Sequence, residues 1–417
     1  MTKSRTFCVL PWTHLSMESA NLEYKMCCVT DDIIPGGFSA SKCAPEDALG
    51  SVAMDEVRKA MMTGKEVEAC RVCYEEEKAS TRSMRTFYLE SGPDRESELV
   101  GLVDEEGRFH RPPGIEHLEV RLGNLCNLKC VMCSPLNSSA YDDYEEIFGR
   151  AVKDRTPVQE INKTQLERIF PTLRNVRQLT FRGGEPLINR RHEELLEYLV
   201  ATGRSSEVQL TYTTNGTHLP KRLKKDWQKF KRVHLWVSVD GVGESNEFIR
   251  YPSRWDQIEK NLGEIDQWAA EIPQLCWGIT TTAQAYNLHQ LAELCRLTAR
   301  FRYCSPLPFL NRLHFPEALK VESLTREKIQ EALPEIRLAM NESGKFRGAD
   351  PVERGLMKLK GMEEHRRKNT SALNSFLAYL ETLPGAEKET SRALQELTER
   401  IIRTRKLSNY TFLKKVF

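Results

Sequence analysis

The stretch Asn124-Leu125-Cys126-Asn127-Leu128-Lys129-Cys130-Val131-Met132-Cys133 sets three cysteines in the spacing C-x3-C-x2-C, directly after the apolar-alternating segment 115–122. Three thiolates within eight residues can hold three corners of a cubane iron–sulfur cluster and leave its fourth iron without a protein ligand. A structural cluster takes four protein ligands; an open iron is a place to bind a small molecule. Zinc is the competing reading, because a short C-x2-C is also the usual zinc signature.

A second element, Phe181-Arg182-Gly183-Gly184-Glu185-Pro186, follows the strand-like segment 176–181 at a β-to-α junction. Paired glycines let a backbone approach a ligand closely, and the adjacent carboxylate can take a protonated amine. Together the two motifs resemble those of the radical S-adenosylmethionine (SAM) superfamily. The resemblance implies a [4Fe-4S] cluster on Cys126, Cys130 and Cys133, with SAM chelating the open iron. It also implies reductive cleavage of SAM to methionine and a 5′-deoxyadenosyl radical, which takes a hydrogen from a substrate. A reductant such as flavodoxin or ferredoxin would supply the electron. Gly183, Gly184, Glu185 and Pro186 become the element that receives the amino group of SAM.

Segments 208–214 and 233–239 end in Thr213-Thr214-Asn215-Gly216 and Ser238-Val239-Asp240-Gly241, and Glu244 and Arg250 complete the family pattern S-x-D-G-x-x-E-x5-R. On that resemblance Thr214, Asn215, Ser238 and Arg250 contact SAM. Met132 stands where many family members place an aromatic residue near the adenine. No motif identifies a catalytic acid or base, though Tyr212, Asp240 and Glu244 stand near the relevant strand ends.

At 417 residues the chain can bury a large core, and Lys+Arg 61 against Asp+Glu 59 gives no global field that would point to nucleic acid. No apolar run reaches membrane-spanning length and Met1-Thr2-Lys3-Ser4-Arg5 lacks a secretory core, so no membrane partner is expected. Twelve cysteines then argue for a reducing compartment, and a cytoplasmic location is expected.

Strand-like segments 115–122, 176–181, 208–214, 233–239, 275–282 and 301–309 alternate with helical ones at 165–170, 192–199 and 255–268. Such alternation implies βαβ units and a parallel sheet. The fold class is α/β: a partial (β/α)6 TIM-like barrel over residues 114–315, with a Cys-rich module (1–90), a connector (91–113) and a helical C-terminal extension (316–417). A helix is predicted over 48–62, and Pro334, Pro351 and Pro384 are read as breakers in the extension.

The first ninety residues carry Phe7-Cys8-Val9-Leu10-Pro11-Trp12-Thr13-His14-Leu15, then Cys27-Cys28, then Cys70-Arg71-Val72-Cys73-Tyr74 with Glu77, Ser83 and Arg85 behind it. These phrases resemble the SPASM/twitch group of radical SAM proteins. The resemblance implies a second, auxiliary [4Fe-4S] cluster on Cys8, Cys28 (or its neighbour Cys27), Cys70 and Cys73; a four-cysteine zinc site is the alternative. Cys43 is spare, and Cys276, Cys295 and Cys304 are read as core residues. Most enzymes of that group modify peptides or proteins, so a peptide, protein or amino-acid-derived group is the expected substrate. Modification or rearrangement of a nucleobase or nucleotide, including one in phage DNA, is the second expectation. A non-catalytic iron–sulfur redox or sensor protein is the third.

Overall fold

The computed structural model describes residues 5–18, 21–30, 32–78, 83–89, 95–111, 114–149, 160–343, 356–386, 388–408 and 410–417. Pro351, and residues 91–94 and 112–113 of the connector, lie outside the described residues. The chain forms two compact units, residues 1–124 with 156–211, and residues 125–155 with 212–417.

In the first unit, strands β1 (His14–Met17), β2 (Tyr24–Lys25), β3 (His117–Val120) and β4 (Gln178–Phe181) lie in the order β2-β1-β3-β4. Only β2 runs antiparallel; β1 pairs parallel with β3, and β3 with β4. Strand β1 was not legible as a strand, because four residues are too few to show a period. The register sets Ser16 opposite Glu119 and Glu119 opposite Thr180. Side chains alternate across a strand, so these polar groups share one face with His14 and His117.

That face is buried, and its polar atoms are satisfied from within. Ser16 Oγ donates to Glu119 at 3.3 Å, and His117 Nε2 lies 3.0 Å from Thr180 Oγ1. Burial pushes the His117 pKa down. The N-terminal residues Phe7, Leu10 and Trp12 pack with Met61 and Leu99 in an apolar cluster.

The predicted helix over 48–62 is two helices, Pro45–Leu49 and Val52–Met62, parted at Gly50 and Ser51, residues of low helix propensity. From the second projects Arg58, fully buried. Its Nε donates to the Gly107 carbonyl at 2.7 Å and its Nη1 to the Pro11 and Leu49 carbonyls at 2.9 and 3.0 Å.

In the second unit, β6 (Arg232–Ser238), β7 (Leu275–Ala283) and β8 (Phe309–Arg312) are parallel and adjacent in that order. Helix Trp255–Glu271 connects the first two and Leu291–Ala299 the next two, which are the expected βαβ crossovers. Strand β5 (Gln209–Thr214) runs across the point where the chain passes from one unit to the other.

The last strand begins at Phe309, not at residue 301. Pro306 and Pro308 remove two ladder donors from the predicted run, leaving a single bridge from Cys304 to Trp277. Helices Arg326–Ser343, Leu356–Thr382 and Lys388–Thr404 form the extension. Pro334 lies inside the first of them rather than ending it. Pro384 follows the end of the second, as read. Among the described residues no helix is long and apolar enough to cross a membrane.

Replacing Arg58 by alanine strands three buried carbonyls and the partly buried Asp55 carboxylate. The predicted loss of stability is about 3–5 kcal/mol, read as a lowered urea midpoint by tryptophan fluorescence. An unchanged midpoint would show the carbonyls to be satisfied by other means.

Candidate active site

The loop that carries Cys126, Cys130 and Cys133 is held by its intervening residues. Leu128 and Val131 are buried pegs. Lys129 N donates to the Tyr251 carbonyl at 2.6 Å and Val131 N to the Ile249 carbonyl at 2.8 Å. Ser138 Oγ donates to the Leu128 carbonyl at 2.5 Å, and the Tyr141 hydroxyl donates to the Cys130 carbonyl. With the apolar residues turned inward, all three cysteines remain partly accessible, as does Met132. Burial pushes the Cys130 thiol up to about 12, opposed by Arg250, and the Cys133 thiol up to about 11.

Two of the motif residues, Asn215 and Arg250, contact this loop within the second unit. Asn215 Nδ2 donates to Asn127 Oδ1 at 2.9 Å and lies 3.9 Å from the Cys126 sulfur. Thr214 Oγ1 accepts from Gly216 N at 3.2 Å, closing the turn, and Ser238 is buried at the end of β6. Arg250 places its Nε 2.7 Å from Asp240 Oδ2 and its Nη1 4.0 Å from the Cys130 sulfur. Asp240 is completely buried and also accepts from Thr281 Oγ1 at 3.1 Å and Thr282 N at 2.7 Å. Its carboxylate therefore orients Arg250. Tyr212 is buried against the Trp227 ring, with a centroid separation of 5.6 Å, and burial raises its pKa.

In the first unit, the turn after β4 carries Gly183 and Gly184 at φ +77° and +57°, the left-handed region that favours glycine. A Cβ on Gly183 would meet the Arg121 side chain at 3.1 Å. Glu185 is buried, and its Oε1 accepts from Leu187 N at 3.0 Å, opening the short helix Pro186–Ile188. Arg182 is ion-paired to Glu119 at 3.5 Å.

The N-terminal cysteines are also in the first unit. Cys8, Cys27, Cys70 and Cys73 line one cavity with apolar neighbours such as Leu10, Met26 and Met61. Burial raises the pKa of each thiol, that of Cys70 to about 12. The resemblance implied Cys28, or its neighbour Cys27, as the fourth member; of the two, Cys27 lines this cavity. Cys28 faces Glu119 and Arg182 instead, and burial pushes its thiol up to about 12. The reason is local: residues 26–28 follow an extended segment in which neighbouring side chains point opposite ways, and His14 Nδ1 fixes that segment at 2.9 Å from the Met26 carbonyl.

Cys43 lies apart, its thiol donating to the Ser39 carbonyl at 3.5 Å. Glu77, Ser83 and Arg85 form a brace beside the cavity. Ser83 Oγ donates to Glu77 at 2.5 Å, Arg85 pairs with Glu77, and Arg85 Nη1 donates to the Phe7 carbonyl at 2.9 Å.

A family model described as the radical SAM superfamily matches residues 120–297, which include the cysteine loop, the Gly-Gly-Glu turn and Arg250. Residues 120–297 belong to the radical SAM superfamily. The GTP 3′,8-cyclase of Corynebacterium glutamicum is 32% identical to this chain over 258 residues, 60% of this chain and 62% of that protein. The GTP 3′,8-cyclase of Clostridium acetobutylicum is 29% identical over 171 residues, 40% and 45% of the two chains. The chain thus spans about half to three-fifths of the length of these curated relatives. Among solved structures, Streptococcus suis SuiB bound to S-adenosylmethionine is 13% identical, covers 70% of this chain and 62% of its own, and has a TM-score of 0.34. AdoMet-bound anSMEcpe is 15% identical, covers 54% and 57%, and has a TM-score of 0.39.

Within the radical SAM segment, Glu244 has a partner that its motif did not reveal. It accepts from Thr411 Oγ1 at 2.5 Å and from Phe412 N at 2.8 Å, pinning the C-terminal residues to the helix Glu244–Ile249. Burial opposes ionisation of Glu244, but these hydrogen bonds outweigh it and lower the pKa. The Phe412 ring lies 5.5 Å from Phe248 and stacks 6.0 Å from His289. Burial, with Lys415 and Lys328 nearby, lowers the His289 pKa from 6.5 to about 4.

A histidine whose folded pKa is depressed contributes stability in full above its unfolded pKa and loses it as pH falls. Docking of residues 410–417 is therefore predicted to weaken between about pH 6.5 and 4, seen as faster hydrogen exchange there than in the strands. His289→Phe should flatten that dependence. An equally steep dependence in the variant would assign it to another group.

Proposed function

We propose that this protein is a radical SAM enzyme with one catalytic and one auxiliary iron–sulfur cluster. The observation that carries the proposal is the cysteine loop, whose pegged backbone presents three sulfurs beside a buried arginine. Soft thiol donors with a cation 4.0 Å from one sulfur suit an anionic thiolate-bound cluster. When bound, that cluster and SAM supply a 5′-deoxyadenosyl radical that abstracts a substrate hydrogen.

The protein's own residues prepare the site. Asn215 ties the Cys126 end of the loop, Tyr141 the Cys130 carbonyl, and Asp240 holds Arg250 towards the Cys130 sulfur. On the motifs, Gly183, Gly184, Glu185, Pro186, Thr214, Asn215, Ser238, Arg250 and Met132 are proposed to bind SAM. A low-potential carrier of the flavodoxin or ferredoxin kind is proposed as reductant.

Cys8, Cys27, Cys70 and Cys73 are proposed to hold the auxiliary [4Fe-4S] cluster. Among the described residues no three His, Cys, Asp or Glu side chains converge closely enough to hold a single metal ion. Tetrahedral zinc needs sulfurs roughly 3.8 Å apart at a Zn–S distance of about 2.3 Å. The choice of a cubane rests on the SPASM/twitch-like phrases around these cysteines, and a four-cysteine zinc site is the alternative.

The substrate proposed is a peptide, protein or amino-acid-derived group, supported by the SPASM/twitch-like phrases around the N-terminal cysteines. A nucleotide is the second reading, favoured by the 32% identity to a protein named GTP 3′,8-cyclase.

Anaerobic reconstitution is predicted to give about eight irons per chain and 5′-deoxyadenosine after dithionite reduction. About four irons with one zinc would make the N-terminal site structural. Iron with no nucleoside product would favour the non-catalytic redox or sensor reading. Cys130→Ala should abolish 5′-deoxyadenosine yet keep the N-terminal iron. Cys27→Ala should lose that iron while Cys28→Ala keeps it; the reverse pattern would return the ligand to Cys28.

A further inference from the structure

The C-terminal extension reaches the neighbourhood of the cysteine loop through one buried cation. The helix Lys388–Thr404 is fastened by Thr398 Oγ1, 2.7 Å from the Tyr286 hydroxyl, and by Thr404 Oγ1, which donates to Glu146 at 3.0 Å. Arg405 follows it with a side chain 1% exposed. Its Nε donates to Asp143 Oδ2 at 3.0 Å. Its guanidinium carbon lies over the Tyr251 and Tyr141 rings, 5.0 and 5.8 Å from their centroids. The guanidinium also bears on the Tyr141 hydroxyl, which is itself buried. One carboxylate and two aromatic faces therefore hold this charge out of water.

Each of those three partners bears on the cysteine loop. The Tyr141 hydroxyl donates to the Cys130 carbonyl. The Tyr251 carbonyl accepts from Lys129 N at 2.6 Å. Asp143 Oδ2 lies 3.9 Å from Lys129 Nζ. Arg405 is thus the shared contact of the groups that fasten the loop from behind. A surface strut would not need a desolvated guanidinium, which is costly to bury.

We propose that Arg405 is a positioning residue for the catalytic cluster, locking Tyr141 and Tyr251 against the cysteine loop and forming with Asp143 the buried charge pair that tunes the cluster's reduction potential. The inference rests on the radical SAM reading above. A cluster on three thiolates is anionic and gains one more negative charge on reduction, so its potential follows the buried charge around it. Fields of buried charges are little screened by solvent or salt. Removing the cation and leaving the carboxylate disfavours reduction; removing the carboxylate and leaving the cation favours it.

The test uses the reconstituted full chain, comparing wild type with Arg405→Met, Asp143→Asn and the double variant. The readouts are iron content, the midpoint potential, and the EPR signal that changes when SAM is added, which marks the catalytic cluster. Arg405→Met is expected to lose iron and shift the midpoint to more negative values. Asp143→Asn should shift it the other way, and the double variant should return towards wild type. Unchanged potentials and EPR signals, with only a lower melting temperature, would overturn the proposal and leave Arg405 a strut. If Arg405→Met does not fold, an unshifted Asp143→Asn overturns it alone. A wild-type chain with no SAM-responsive signal would overturn the radical SAM reading itself, and this inference with it.

Discussion

Two backbone hydrogen bonds, from Lys129 N to the Tyr251 carbonyl and from Val131 N to the Ile249 carbonyl, fix where the cysteine loop runs. The segment that accepts them is also the one that carries Arg250. A single pairing therefore sets the loop's backbone and the distance from a guanidinium to the Cys130 sulfur, 4.0 Å. The other features of the second unit's site follow from it. Asp240 is useful because Arg250 has been brought there, and Tyr141 because the Cys130 carbonyl faces it. Buried hydrogen bonds of this kind are modest in net energy but expensive to break, so the arrangement tolerates little drift.

The first unit meets a different constraint. Its strands carry polar side chains on a buried face, so Ser16, Glu119, His117 and Thr180 have to satisfy one another across neighbouring strands. Arg58 solves a similar problem where the loops around Pro11, Leu49 and Gly107 meet, supplying donors to carbonyls that no strand reaches. Both are interior polar networks whose members lie far apart in sequence and touch only once the chain has folded.

That distinction explains what could be read from the residues. The α/β class and five of the six strand segments were legible, because each strand carries its own short apolar run between turn signals. The sixth slipped to Phe309 because the prolines that spoil the earlier residues act on ladder hydrogen bonds, not on hydropathy. The cysteine loop was legible because its ligand-type residues are contiguous and their spacing is itself a geometry. Which of Cys27 and Cys28 lines the N-terminal cavity was not, since adjacent residues differ only in the side of the chain on which they project. Nor were the partners of Glu244 or the position of Arg405, which depend on contacts between segments more than a hundred residues apart. The buried pair of Asp240 and Arg250 fell between these cases: its motif was visible, but the burial that makes the carboxylate an anchor was not.

The elevated thiol pKa values carry a consequence for the protein before any metal reaches it. Thiolates, not thiols, attack disulfides and electrophiles. With Cys130 pushed to about 12, Cys133 to about 11 and Cys70 to about 12, these sulfurs stay protonated at neutral pH. The newly folded chain is therefore slow to oxidise or to be alkylated at these positions, which are the ones proposed to bind iron. On the proposed ligation each sulfur would shed its proton on metallation, so assembly itself would acidify the surroundings.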